Sequence, residues 1–227
     1  MNRYNIFNQV HKGLRAALYE TVGSLQQTDF LDPQGVARTF EKIEEVIELF
    51  HHHAHTEDHI VLPVLLQYEP SVVLAFEDEH VKDHALAQRL KELMFVYNHS
   101  VEDETRIQTG KILNIAFVEM VIYNLGHMAR EEDIVNKLLW RYYTDIELKQ
   151  LTQKIVSQVS PMVMAKNTRW MMRALNNQEL ITWLREVKDH APDFVFESLM
   201  TTAQNELPSE RWQDVREEVA NQAALVY

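Results

Sequence analysis

The chain has 227 residues, nearly half of them hydrophobic, and a formal charge of -12 from 34 acidic against 22 basic residues. That balance argues against nucleic acid or an anionic membrane surface as a partner, because neutralising phosphate needs a basic face. No cysteine occurs, which excludes disulfides, thiolate zinc sites and cysteine-ligated iron–sulfur clusters in this chain.

Only five glycines and six prolines interrupt the chain, so long stretches are free to be helical. Alternating β-branched runs are absent, and the expected class is all-α. The first residues lack the basic-then-apolar layout of a signal peptide. The longest apolar stretch, Ile112 to Leu125, is broken by Asn114, Glu119 and Asn124 and falls short of the roughly 18 residues that span a bilayer. A cytoplasmic protein with no membrane partner is expected.

In chain order, an apolar stripe through Phe7, Leu14, Leu18 and Val22 predicts a helix from about Tyr4 to Leu25, with His11 on the same stripe. Thr28 to Gly35 reads as a loop. A second helix is expected from Val36 to about Gln67, kinked or ended early by Pro63. Pro70 suits the first turn of a third helix reaching Tyr97, and after a polar stretch a fourth runs from Arg106 to Tyr142. Four long helices with short connections predict an up-down-up-down four-helix bundle over residues 1–145. Shorter helices follow in a C-terminal helical section, residues 146–227, punctuated at Ser160-Pro161, Asn176-Asn177, Ala191-Pro192 and Leu207-Pro208. Trp170, Trp183 and Trp212 are its expected packing anchors. Whether it docks on the bundle is open at this level, and no clear internal repeat is visible.

Helical phase sorts the histidines. The second helix's stripe, Ile43, Val46, Ile47 and Phe50, continues onto His53, Ala54 and Glu57, so His53 and Glu57 project from one face. His51, His55 and His59 form a row rotated by about 200° that faces outward. On the third helix the expected stripe is Val73, Phe76, His80, His84, Ala87, Leu90 and Met94. On the fourth it is Leu113, Ala116, Met120, His127, Glu131, Ile134 and Leu138, with Asn124 one turn before the histidine. Burying Glu57 and Glu131 together requires cationic compensation. Two metal ions would satisfy His11, His53, Glu57, His80, His84, His127 and Glu131 at once. Seven donors are too many for one ion, and imidazole combined with carboxylate suits iron or manganese.

The ordered set of His11, His53-Ala-His-Thr-Glu57, His80-Val-Lys-Asp-His84 and His127-Met-Ala-Arg-Glu131-Glu132 resembles the hemerythrin-like cation-binding family across about the first 145 residues. The resemblance implies a non-haem site of two iron ions with a bridging oxo or hydroxo group. It implies His80, His84 and His127 on one ion, His11 and His53 on the other, and Glu57 and Glu131 as bridges, with Glu132 as the alternative to Glu131 and His52 as a competitor of His53. The expected function is binding, storage or sensing of dioxygen, nitric oxide or iron, and the expected partner is dioxygen or another small diatomic. The alternative is a di-iron enzyme: an oxidase, a peroxide or nitric-oxide reductase, or a repair protein for iron centres. A homodimer through the C-terminal section completes the expected partners.

Overall fold

The computed structural model describes residues 3–221, and all regular structure among them is helical. The helices are α1 (Asn8–Gln26), α2 (Pro33–Thr56), α3 (Pro70–His99), α4 (Asp103–Arg130), α5 (Asn136–Tyr142), α6 (Asp145–Gln158), α7 (Pro161–Ala174), α8 (Asn177–His190), α9 (Asp193–Glu206) and α10 (Ser209–Ala220). A π-helical turn, Glu131–Val135, joins α4 to α5 without a break. A second π turn, Glu57–Val61, extends α2 and passes into a 3-10 turn over Leu62–Val64, where Pro63 ends the helix as its missing N–H requires.

Helix starts are set by local chemistry. Asp32 accepts hydrogen bonds from Gln34 N and Gly35 N at 3.1 and 3.0 Å, with Pro33 in the first turn, so α2 begins three residues before the expected Val36. Thr144 with Glu147, and Asn176 with Glu179, form capping boxes at α6 and α8.

Helix α1 packs on α2 and α4, and α3 packs on α4 and α2. Two apolar clusters fill the space between them. The first holds Leu14, Leu18, Ile47, Phe50, Leu90, Leu113 and Phe117. The second holds Phe7, Val61, Leu62, Val73, Phe76, Val135 and Leu139, closed by Leu148 of α6. On each of the four helices the change from one cluster to the other falls at the inward histidines and glutamates. A polar layer is therefore sandwiched between two apolar ones.

The C-terminal helices have their own core, built on Met172, Leu180, Leu184, Leu207 and Val215. That core is seated on the rest. Helix α7 lies along α1 so closely that a Cβ on Gly13 would sit 3.1 Å from Met171 N. Trp170 enters the first apolar cluster while its indole N–H donates to Glu45 Oε1 at 2.9 Å, and Lys12 pairs with Glu179 at 2.5 Å. Trp183 and Trp212 border the C-terminal core. The continuous helix Asp103–Tyr142 is long and apolar enough to cross a membrane by length and composition alone, a test that a helix in a protein core also passes. Scattered polar residues interrupt its apolar run without lowering the window average enough. Its buried face carries Leu113, Phe117, Met120 and His127.

Candidate metal centre

Six side chains meet in the polar layer. His11 comes from α1, His53 and Glu57 from α2 and its π turn, His80 from α3, and His127 and Glu131 from α4 and its π turn. They form two overlapping groups, His11, His53, Glu57 and Glu131, and Glu57, His80, His127 and Glu131, each offering ligand atoms within 4.8 Å of one another.

The two carboxylates are common to both groups, and their oxygens are divided between them. Glu57 Oε1 lies 3.2 Å from His53 Nε2, and its Oε2 lies 3.3 Å from His80 Nε2. Glu131 Oε1 lies 3.0 Å from His127 Nε2, and its Oε2 lies 3.4 Å from His11 Nε2. Within each histidine pair, His11 with His53 and His80 with His127, the Nε2 atoms are 3.1 Å apart. Donors about 2.1 Å from a single ion stand about 3.0–3.4 Å from one another at octahedral to tetrahedral angles. The spacings fit two ions, each held by two imidazoles and one oxygen of each glutamate.

Hydrogen bonding behind the ring nitrogens supports the same fit. Nδ1 of His11 donates to Glu132 at 2.9 Å, that of His80 to Asp58 at 2.6 Å and that of His127 to Glu79 at 2.6 Å. A proton fixed on Nδ1 turns the Nε2 lone pair of a neutral ring to the centre. His80 and His127 then aim two lone pairs at each other across 3.1 Å, which is stable only with a proton or a cation between them. Both oxygens of Glu57 and Oε2 of Glu131 are buried without a hydrogen-bond partner, and unpaired buried carboxylate oxygens demand compensation.

Without a cation, the centre redistributes protons. Burial, reinforced by Glu131, pushes the Glu57 carboxyl well above its ordinary range. Burial acts on Glu131 in the same sense, but the imidazoles of His127 and His80 beside it outweigh burial and hold Glu131 well below. His80 is opposed by burial yet raised to about 12 by its hydrogen bond to Asp58 and by the nearby carboxylates of Glu131 and Glu57. Burial and the neighbouring His11 push His53 well below the usual imidazole value.

His84 is not brought to this centre. It is exposed, donates from Nδ1 to the His80 carbonyl at 2.8 Å and meets His51 Nδ1 with Nε2 at 3.0 Å. The cause is register. Helix α3 buries Val73, Phe76, His80, Asp83, Ala87, Leu90, Met94 and Tyr97, in alternating steps of three and four. The step after His80 is three, so Asp83 takes the inward place and accepts from Asn124 at 2.6 Å, while His84 is rotated about 100° away. Glu132 sits outside the centre on His11 and Arg15, and His52 lies off it, 4.0 Å from Glu48.

Sequence reasoning missed the outer carboxylates Asp58 and Glu79, and it missed a repeat. His53-x3-Glu57-Asp58-x-Ile60-Val61 and His127-x3-Glu131-Glu132-x-Ile134-Val135 share one pattern. Each glutamate opens a π turn, and the acid after it holds a histidine of the opposite helix pair. Aligning the two His-x3-Glu motifs would have revealed it.

Comparison with protein families, curated proteins and solved structures finds no match to this chain.

Proposed function

We propose that α1 to α5 form an up-down-up-down four-helix bundle around a di-iron centre that takes up a small diatomic ligand, with His11, His53, His80 and His127 as terminal ligands and Glu57 and Glu131 as bridges. One observation carries this reading. Each glutamate directs one oxygen to each histidine pair, and three of the four oxygens have no hydrogen-bond partner. Iron is favoured over a structural zinc because the donors are imidazole and hard bridging carboxylate with no thiolate. It also agrees with the resemblance to hemerythrin-like proteins drawn from the same residues.

When bound, an iron pair supplies redox-active positions for a diatomic ligand. The chain's residues do the rest. Asp58, Glu79 and Glu132 hold protons on Nδ1 and so fix the direction of three imidazoles. Phe7 stacks on His11 at a centroid distance of 4.9 Å, and Phe76 lies 5.7 Å from His127, excluding bulk water from that end. Metal analysis of the purified chain tests the reading, with two irons per chain expected and their loss in Glu57→Gln. A single zinc would overturn it. Anaerobic reduction followed by dioxygen then separates reversible binding, where the optical change reverses on degassing, from irreversible oxidation.

A second reading, an enzyme reducing peroxide or nitric oxide, is favoured by the placement of His84. Four protein donors per ion leave two sites of an octahedron for exogenous groups, more room than a five-histidine set allows. Steady-state turnover with peroxide or nitric oxide distinguishes the two readings.

A further inference from the structure

The two ion positions are not equally supported. Behind the His80 and His127 position, each imidazole has a carboxylate partner at 2.6 Å, Asp58 and Glu79. Behind the other, only His11 has one, Glu132 at 2.9 Å, and the same Glu132 oxygen also accepts from Arg15. His53 Nδ1 has no hydrogen-bond partner among the described residues, its ring contacts being with His11 and Glu57. His53 is also the least enclosed of the six side chains, 8% exposed against 0–3% for the others. The repeat explains the gap. Glu79 directly precedes His80, whereas the residue directly preceding His11 is Val10, so the carboxylate that would back His53 is missing.

A carboxylate behind a ligating imidazole fixes the ring and raises its basicity, and its loss weakens metal affinity by about 10–100-fold. We infer that the ions are inequivalent: the one held by His80 and His127 is permanent, and the one held by His11 and His53 is exchangeable, loaded last and released first. This rests on the dinuclear reading above. It makes the His53 side the place where metal is exchanged with a donor or acceptor.

The test is an anaerobic calorimetric titration of the metal-free full chain with Co(II), followed by stepwise removal with a chelator. Two binding steps about 10–100-fold apart in affinity are expected, with one equivalent stripped well before the other. Glu79→Gln should weaken the tighter step about tenfold or more and draw the two steps together. His53→Gln should abolish the looser step and leave one ion bound. Two ions with a single affinity, or Glu79→Gln acting only on the looser step, would overturn the inference while leaving the dinuclear centre standing. Fewer than two ions on the unaltered chain would overturn the dinuclear reading itself.

Discussion

Replacing Glu57 with glutamine should move the stability of the metal-free and metal-loaded protein in opposite directions. In the metal-free protein, Glu57 is 2% exposed, has no hydrogen bond to either oxygen and faces a second buried carboxylate. Burial raises its pKa above 4.5, so above that pH folding must take up a proton that the unfolded chain does not carry. The destabilisation is absent below the unfolded pKa and grows as pH rises through it. An amide stays neutral and removes that protonation cost while leaving its own polar atoms buried, so the gain at pH 7 is about 1–3 kcal/mol at most. At about 2–4 °C per kcal/mol for a chain of this size, Tm of the metal-free variant should rise by roughly 2–12 °C at pH 7 and very little at pH 4. With metal in 100-fold excess over Kd, each bound ion stabilises the native chain by about 2.7 kcal/mol. The variant would lose the charge that the proposed centre shares between both ions, so most of that stabilisation should vanish. Differential scanning fluorimetry of four samples, each form with and without metal, at the two pH values reads the outcome. Equal destabilisation of both forms at both pH values would refute the reasoning, because Glu57 would then be an ordinary structural residue.

Metal uptake at pH 7 should release protons, because Glu57 is raised and His80, raised to about 12, holds a proton that a ligand must shed; calorimetry in buffers of different ionisation enthalpy detects this, and affinity should increase with pH. His84→Ala should retain both metal ions while His80→Ala does not, which elemental analysis decides. Gly110→Ala would place a Cβ 2.3 Å from the Phe30 ring and should lower stability by about 1–3 kcal/mol, whereas Gly23→Ala, with nothing within 4 Å, should raise it by about 0.5–1 kcal/mol. Asn136 is fully buried with both amide atoms unpartnered, at the place where the other half of the repeat has Leu62, so Asn136→Leu should stabilise the chain by about 1–3 kcal/mol in chemical denaturation.

Much of this was legible in the sequence. Scarce breakers made the chain helical, and the 3.6-residue period placed His11, His53, Glu57, His80, His127 and Glu131 on inward faces. A helix repeats its geometry locally, so phase alone is enough for that step. Pro63 and the cap residues marked boundaries for the same local reason.

Three features were decided only by tertiary structure. His80 and His84 are one turn apart and equally acceptable to a local pattern; which of His84 and Asp83 turns inward depends on the step of three that α3 adopts against α4 and α2. The docking of α7 on α1 depends on a close approach at Gly13 to Met171 and on Trp170 reaching the first apolar cluster, contacts between residues far apart in the chain. Two of the three carboxylates behind the imidazoles come from the opposite helix pair, Glu132 to His11 and Asp58 to His80. Periodicity says which residues share a face, but it carries no record of what stands across the core from them. The inward histidines and glutamates were therefore written in the sequence, while the inequality between their two halves was not.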